Sequence, residues 1–371
     1  MARLSFDIFC RVVDNFGDIG VCWRLARQLK ALQPNSAVRL WVDDLYSFSR
    51  IAHEINAQAA QQSVHGIEIV HWTHLAPRLQ PHSVVIEAFA CDPPAAFIDA
   101  MVQQNSLWIN LEYLSAENWV ESCHMLPSAQ ANGLRKYFFF PGFTTATGGL
   151  LLEPDLLSRR DQWLSNTDRH NELLQAIGVP ASHIQRLQQG ARQVFLFCYA
   201  SAPAQSLLDT LKQQASPSLL IVPSGVYPAL LNQSDDLVYI HEMPFVGQDA
   251  FDHLLWSSDL NFVRGEDSLV RALWAGRPLV WQIYSQDADA HMIKLQAWLE
   301  QSPYAPGVQQ LMRAWNVGNQ AELSLHLHNA LQTENWAAWQ SDSNNWCTKL
   351  AENPDLAYSL LEFCTQQQRS G

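Results

Sequence analysis

The feature that most constrains the fold is a repeated alternation of short apolar runs with helical segments. In the first half of the chain the apolar runs are 4–13, 38–42, 67–72, 84–89 and 107–111. Helical segments such as 21–32 and 95–103 separate them. Short buried strands separated by helices predict a parallel sheet with right-handed crossovers. The aromatic-rich segments 110–120 and 136–154 are predicted as loops at the rim of this sheet.

The alternation resumes after residue 190. Here the apolar runs are 194–199, 219–222, 237–241, 260–263 and 279–284, and beyond residue 290 the chain is predicted to be helical. A length of 371 residues exceeds one ordinary core, so the sequence predicts two α/β domains joined by a polar linker. Ligands of such sheets bind at the carboxyl ends of the strands, where we expect the functional residues.

The composition limits the partners. Asp and Glu outnumber Lys and Arg by 36 to 23, a net charge of −13. Binding to nucleic acid or to an anionic membrane surface needs clustered cations, so we predict neither as a partner and favour a basic protein. Seven scattered cysteines without a CxxC pair predict reduced thiols. Because no run of about 18 apolar residues occurs, we expect a cytoplasmic protein.

The segment 259–281 has the order strand, glycine turn, polar cluster and helix. This order places backbone N–H groups and the positive end of a helix dipole at the edge of a sheet, which predicts an anion site. Arg264 adds a planar cation suited to phosphate. Glu266 and Asp267 offer oxygens to the hydroxyl or N–H groups of a sugar or base. The alternative is that these acidic residues and Ser268 only cap the helix.

A second polar turn, 14–20, opens a helix in the first half. It places Asp14 and Asp18 on either side of Gly17, without the GxGxxG spacing of a dinucleotide site. Capping would explain Asp18 as an N-cap and Asp14 as a turn residue. Two carboxylates in one tight turn exceed what a cap needs, so we predict Asp18 as a general base supported by Asp14.

Aromatic residues follow two strands of the second half. Phe197 and Tyr199 are two residues apart and therefore share one face of a strand, where they can stack on a planar base. Phe245 and Gln248 add a ring and an amide on a loop before a helix. The alternatives are core packing for the first pair and an ordinary strand-to-helix loop for the second.

A metal site is not predicted. Asp287 and Asp289 form a DxD pair, which can hold a divalent cation on a diphosphate. This pair directly precedes a predicted helix at 290–300, so an acidic turn at a helix N-terminus explains it more simply. The 13 histidines are dispersed without the spacing of a zinc site.

Five segments carry a family resemblance. They are DNFGDIGVCWRLARQL, NLEYLSAENWV, KYFFFPGFTTATGGLL, FCY and LNFVRGEDSLVRALWAGRPLVWQIY. With them the chain resembles the bacterial elongation factor P maturation arginine rhamnosyltransferase (EarP) family from residue 4 to about residue 300.

The resemblance implies a GT-B fold, in which two Rossmann-like domains face each other across a deep cleft. The implied parts are an acceptor domain at 1–155, a linker at 156–190, a nucleotide-sugar domain at 191–345 and a C-terminal helix at 346–371 that packs back on the first domain.

The resemblance also implies the reaction. Rhamnose would pass from dTDP-β-L-rhamnose to one arginine of elongation factor P, with inversion of the anomeric carbon and without metal or further cofactor. Elongation factor P would then be active in the translation of polyproline stretches. Two alternatives stay open, a non-catalytic nucleotide-sugar sensor that binds a translation factor and a GT-B glycosyltransferase with a small-molecule acceptor.

The roles implied by the resemblance divide between the two domains. In the first domain, Asp14 and Asp18 would be the catalytic carboxylates and Gly17 would belong to the donor site. Glu266, in the second domain, would hold the donor and be needed for activity. The remaining donor-binding residues would be Phe197, Tyr199 and Phe245 for thymine, Gln248 for its edge, and Arg264, Asp267 and Ser268 for the diphosphate and deoxyribose.

Overall fold

The computed structural model describes residues 4–14, 16–285 and 290–370, and the chain divides into two compact units. Unit 1 contains Met1–Glu153 and Ala351–Gly371, and unit 2 contains Pro154–Leu350. Each unit is built on one largely parallel sheet, with helices in many of the connections between strands. The predicted α/β class with two sheets is therefore confirmed.

Unit 1 contains an eight-stranded sheet of order β3-β4-β2-β1-β5-β6-β8-β7. The strands are β1 (Phe6–Cys10), β2 (Val38–Val42), β3 (Gln61–Val64), β4 (Ile67–His71), β5 (Val84–Ala88), β6 (Leu107–Leu111), β7 (Pro127–Ala129) and β8 (Arg135–Phe139). The pairs β3–β4 and β7–β8 are antiparallel and the other pairs are parallel. Strands β1, β2 and β5 are buried at every residue, which explains their continuous apolar runs.

Four helices of unit 1 follow its strands. They are α1 (Gly17–Leu32), α2 (Leu45–Ile51), α3 (Ala95–Gln104) and α4 (Trp119–Cys123). Helix α1 packs Ile19, Trp23 and Leu29 into the main core of the unit. Since α1 starts soon after β1, its first turn lies at the carboxyl edge of the sheet. Residues 136–139, predicted as part of a rim loop, are instead in β8. Buried Tyr137 and Phe139 alternate with half-buried Lys136 and Phe138, which is the pattern of a strand.

Unit 2 contains a five-stranded parallel sheet of order β11-β10-β9-β12-β13, the order of a nucleotide-binding Rossmann half. The strands are β9 (Arg192–Leu196), β10 (Ser218–Pro223), β11 (Val238–Met243), β12 (Leu260–Arg264) and β13 (Leu279–Gln282). The helices are α5 (Leu156–Leu164), α6 (Thr167–Ala176), α7 (Ala181–Gln188), α8 (Ala204–Lys212), α9 (Gln248–Ser257), α10 (Asp267–Ala275), α11 (Ala290–Gln301), α12 (Pro306–Val317), α13 (Gln320–Ala330) and α14 (Thr333–Leu350).

Residues 156–190, predicted as a linker, fold as helices α5 to α7 of unit 2. Each of the three helices buries only a few side chains, such as Trp163, Leu174 and Ile184, and exposes polar residues elsewhere. Because apolar residues are sparse in these helices, the sequence of this region is like that of a polar linker. In the structure the few buried side chains attach the helices to unit 2.

The last helix, α15 (Leu356–Ser370), belongs to unit 1. Its residues Leu356, Leu360 and Phe363 join the core beneath β1 and α1. The turn before α15 approaches Gly149 so closely that a Cβ there would lie 2.1 Å from the Pro354 carbonyl oxygen. Gly149 also has φ +81°, so this contact requires glycine.

A buried ion pair joins α9 to α10 in unit 2. Arg271 is 1% exposed and Asp252 2%, and Arg271 donates from Nε to Oδ1 at 3.0 Å and from Nη2 to Oδ2 at 2.6 Å. Arg271→Ala would leave a buried carboxylate without this cation, so the free energy of unfolding of unit 2 is expected to fall by roughly 3–5 kcal/mol. Urea unfolding followed by tryptophan fluorescence measures the change.

Arg159→Ala is the matched control for this prediction. Arg159 pairs with Asp155 at 3.1 Å in the same unit, with side chains 40% and 66% exposed. Such exposed pairs contribute at most about 1 kcal/mol. An equal effect of the two substitutions would contradict the expected importance of burial.

Candidate active site

Asp18 lies in the first turn of α1 and is 3% exposed. Its Oδ2 accepts hydrogen bonds from the backbone N–H groups of Val13 at 2.8 Å and Asp14 at 2.9 Å. The carboxylate therefore closes the loop between β1 and α1. This excludes the alternative of Asp18 as an N-cap, because the helix begins at Gly17 and the N-cap position is Phe16. The role of Asp18 as a base stays a prediction.

Gly17 brings Asp14 close to the helix start. Its N–H donates to the Asp14 carbonyl oxygen at 2.7 Å, and a Cβ on Gly17 would lie 3.0 Å from Asp14 Oδ2. A larger residue would therefore require the Asp14 carboxylate to shift by a few tenths of an ångström. Gly17 belongs to unit 1, while the other predicted donor residues belong to unit 2, so its role as a donor residue stays a prediction.

Burial raises the pKa of Asp18 above its usual value. The two backbone N–H groups lower that pKa, and the carboxylates of Asp14 and Asp43 raise it. Asp43 lies at the end of β2 and accepts from the Val12 N–H at 2.9 Å. Asp43 is not among the residues predicted from the sequence. Its position directly after a strand next to β1 is the signal that could have found it.

In unit 2 two of the predicted aromatic residues lie next to Arg264, the residue predicted to bind phosphate. Strand β9 ends at Leu196 and pairs with β12, which ends at Arg264. The Arg264 guanidinium carbon lies 4.6 Å from the centroid of the Tyr199 ring and 5.2 Å from that of Phe197. Cation and rings thus form one surface at the carboxyl edge of the sheet, suited to a ligand that carries both a planar ring and phosphates.

Two residues that the sequence analysis did not identify fix the Tyr199 backbone. Gln282 Oε1 accepts from the Tyr199 N–H at 2.9 Å, and Tyr227 donates to the Tyr199 carbonyl oxygen at 3.1 Å. Burial raises the pKa of Tyr227, so it remains a hydroxyl donor. Gln282 faces Arg264 in the register of β13 and β12. It could have been found only once that register was known.

The start of α10 holds the remaining acidic residues. Gly265 has φ +61°, which turns the chain from β12 into the helix, and Asp267 lies in the first turn. Glu266 is the N-cap residue but makes no side-chain capping bond. Ser268 exchanges hydrogen bonds with the backbone of Arg264. The Ser268 hydroxyl therefore fixes the end of β12. Side-chain capping of α10 does not account for an acidic residue at position 266.

The segment before α9 contains Phe245, which is half-buried, and α9 begins at Gln248, which is 7% exposed. One turn later Phe251 contacts Phe197 edge to face at 4.8 Å, so α9 supports the aromatic surface. Phe251 is a further residue that the sequence analysis missed.

Comparisons with known proteins decide the family. The profile of the family described as elongation factor P (EF-P) rhamnosyltransferase EarP matches residues 6–365. Protein-arginine rhamnosyltransferases of Pseudomonas putida and Pseudomonas aeruginosa are 45% and 42% identical to this chain, over 97% of it and 98% of each relative. The chain belongs to the EarP family.

Solved structures agree. A structure described as the basis for EarP-mediated arginine glycosylation of translation elongation factor EF-P matches with a TM-score of 0.66 and 31% identity, covering 98% of this chain and 99% of that one. A glycosyltransferase of Rickettsia africae matches with a TM-score of 0.55 at 9% identity, over all of both chains, which shows the fold alone. The predicted GT-B type of α/β fold and the predicted glycosyltransferase class are therefore confirmed.

Two predicted absences concern this EarP chain. Among the described residues, no group of three or more His, Cys, Asp or Glu side chains is placed to hold a metal ion. Asp287 and Asp289 lie outside those residues, so the prediction that no metal binds stays a prediction. Within the same described ranges, no helix is both long and apolar enough to cross a membrane.

Proposed function

We propose that this EarP chain transfers rhamnose from dTDP-β-L-rhamnose to an arginine of elongation factor P, with inversion at the anomeric carbon. Membership of the EarP family supports the enzyme class and the acceptor. The observation that carries the mechanism is that one chain contains both a buried carboxylate at a sheet edge, Asp18, and a cation on an aromatic surface, Arg264.

Unit 2 would bind the donor. Thymine would lie against the surface of Phe197 and Tyr199, near Phe245, and Gln248 would bond to its edge. Arg264 and the N-terminus of α10 would bind the diphosphate, with Asp267 and Ser268 toward the deoxyribose. Glu266 would bond to hydroxyl groups of the rhamnose. The same cation and dipole would stabilise the negative charge on dTDP as it leaves, so this step needs no metal.

Unit 1 would supply the base. An arginine guanidinium has a pKa above about 12, so it is protonated and a poor nucleophile. In the proposed step a guanidinium nitrogen forms a bond to the anomeric carbon, the bond from that carbon to the dTDP oxygen breaks, and the nitrogen proton passes to Asp18. The Asp14 carboxylate would orient the guanidinium. Attack opposite the leaving group inverts the centre.

The reaction is expected to slow in acid with an inflection above pH 3.8, the ordinary pKa of an aspartate. Burial raises the pKa of Asp18, and only its ionised form can accept a proton, so activity falls as the pH drops through that raised pKa. The pH profile of kcat/KM measures this. Asp43→Asn removes a neighbouring negative charge and should move the inflection to lower pH. An inflection that does not respond to Asp43 would contradict the assignment.

The partner and location follow from the same proposal. The net charge of −13 suits an acceptor that presents its arginine on a basic loop. A translation factor as acceptor places the enzyme in the cytoplasm.

Intact mass spectrometry of elongation factor P tests the proposed function. After incubation with the enzyme and dTDP-β-L-rhamnose, the factor should gain the mass of one deoxyhexose, and fragmentation should place it on an arginine. An unmodified factor would support the sensor alternative. Turnover of the donor with a small-molecule acceptor but not with the factor would support a different glycosyltransferase.

A further inference from the structure

The loop after β5 has an unusual backbone. The angle φ is +60° at Phe89, +53° at Ala90 and +52° at Asp92, so three non-glycine residues within four are left-handed. Residues with a Cβ rarely adopt this conformation, and it persists only where surrounding structure fixes it. Such strain concentrates at functional sites, which makes the 89–92 loop a candidate for one.

Neighbouring strands hold the 89–92 loop in place. The Phe89 N–H donates to the Leu111 carbonyl oxygen at 2.7 Å, and the Ala90 N–H donates to Asn110 Oδ1 at 3.1 Å. Cys91 Sγ contacts the Phe9 carbonyl oxygen at 3.3 Å. The loop is therefore attached to β6 on one side and to β1 on the other.

The fixed loop presents an aromatic pair. The rings of Phe89 and Tyr113 stack with centroids 4.4 Å apart and an interplanar angle of 13°. Both side chains are half-buried, so part of each ring remains accessible. Asn110, which is 2% exposed, also donates through Nδ2 to Glu112. One buried amide thus ties the strained loop to the segment that carries Tyr113.

This aromatic pair lies at the same sheet edge as the predicted base. Strand β5 is the parallel neighbour of both β1 and β6, so the carboxyl ends of the three strands are side by side. Asp18 follows β1, Phe89 follows β5 and Tyr113 follows β6. Asp18 and Cys91 both raise the pKa of the buried Cys10 thiol, so the loop and the base lie near the same thiol.

We propose that the Phe89–Tyr113 pair is the platform on which the acceptor arginine lies, with Asn110 as its positioning residue. A planar guanidinium stacks on aromatic rings, and its three methylene groups pack on the same apolar surface. The platform would hold the guanidinium in one plane while Asp18 accepts a proton. It would also favour arginine over lysine, whose ammonium has no plane to stack. This inference rests on the proposed function and names residues that bind its acceptor.

Phe89→Gly and Tyr113→Leu test the platform. Glycine adopts the left-handed backbone without strain, so Phe89→Gly keeps the path of the loop while it removes the ring. Each variant is expected to raise the KM for elongation factor P about tenfold, the size expected for loss of a desolvated cation–π contact. The affinity for dTDP should change less than about twofold, since unit 2 is intact.

Conservative and distant variants are the controls. Tyr113→Phe keeps the ring and should stay within about twofold of the wild type. Tyr239 stacks on His183 at 3.5 Å in unit 2, and Tyr239→Leu should leave the KM for the factor unchanged. An unchanged KM in Phe89→Gly and Tyr113→Leu would overturn the platform while the proposed function stands.

A different result separates the two proposals. If the wild type transferred no rhamnose, the proposed function would fall first. The platform would then be decided by titration with N-acetyl-arginine amide, observed by saturation-transfer NMR. Loss of the signal in Phe89→Gly supports the platform, and equal signals from the variant and the wild type overturn it.

Discussion

Asp18→Asn is expected to abolish rhamnose transfer while the affinity for dTDP stays almost unchanged. Asparagine cannot take a proton, and loss of a general base lowers kcat by roughly 10²–10⁴-fold. The amide oxygen can still accept from the N–H groups of Val13 and Asp14, which Asp18 Oδ2 now binds at 2.8 and 2.9 Å. The loop should therefore keep its path. Single-turnover rates and calorimetric titration with dTDP measure the two quantities.

Asp43→Asn is the matched control for this prediction. It removes the same charge from the same sheet edge, and its amide oxygen can keep the bond to the Val12 N–H, now 2.9 Å. We expect it to lower kcat by no more than about tenfold, because Asp43 acts only through the pKa of Asp18. Equal losses in the two variants would contradict the assignment of Asp18 as the base, and loss of dTDP binding in Asp18→Asn would move that residue to the donor site.

Arg264→Ala is expected to weaken dTDP binding about 10–100-fold, the range expected when charge-assisted bonds to a phosphate are lost. The side chain lies on the rings of Tyr199 and Phe197 at 4.6 and 5.2 Å, so its removal also disturbs the aromatic surface. Arg264→Lys retains the charge but not the planar stack and should fall between the alanine variant and the wild type. Calorimetric titration with dTDP ranks the affinities of the wild type and the two variants.

Arg277→Ala is the control for the donor site. Arg277 is half-buried, lies beyond the far end of α10 and donates to the Trp256 carbonyl oxygen at 3.2 Å. Its removal takes away the same charge from unit 2 and should leave the affinity for dTDP unchanged. If the two alanine variants weakened binding equally, net charge rather than the Arg264 surface would explain the effect.

The sequence predicts the two sheets well, because buried parallel strands appear in it as continuous apolar runs. It also points to Asp14, Asp18 and Arg264 as site residues, since the two aspartates follow β1 and Arg264 ends β12. Their roles stay predictions. Asp43 and Gln282 could not be predicted from the sequence, because their roles depend on the order of the strands in the sheet and the local sequence pattern does not contain that order. Each becomes recognisable only when its neighbouring strand is known.

Long-range packing explains the other differences. Helix α15 belongs to the unit that begins the chain, as the family resemblance implies, but it starts at Leu356 rather than at residue 346. The local signal for that start is Pro354, which separates α15 from α14. Helices α5 to α7 resemble a linker because each buries few side chains. The strained 89–92 loop contains no glycine, so a search for glycine turns passes over it.

The anomeric configuration of the product tests the central claim most directly. In the proposed mechanism Asp18 takes the proton from the guanidinium while Arg264 stabilises the leaving dTDP. Such a single displacement must invert the anomeric carbon of the β-linked donor. NMR of the glycosylated peptide from elongation factor P should therefore show α-L-rhamnose on an arginine nitrogen. A β-linked product would require two displacements through a covalent intermediate and would contradict the proposed mechanism.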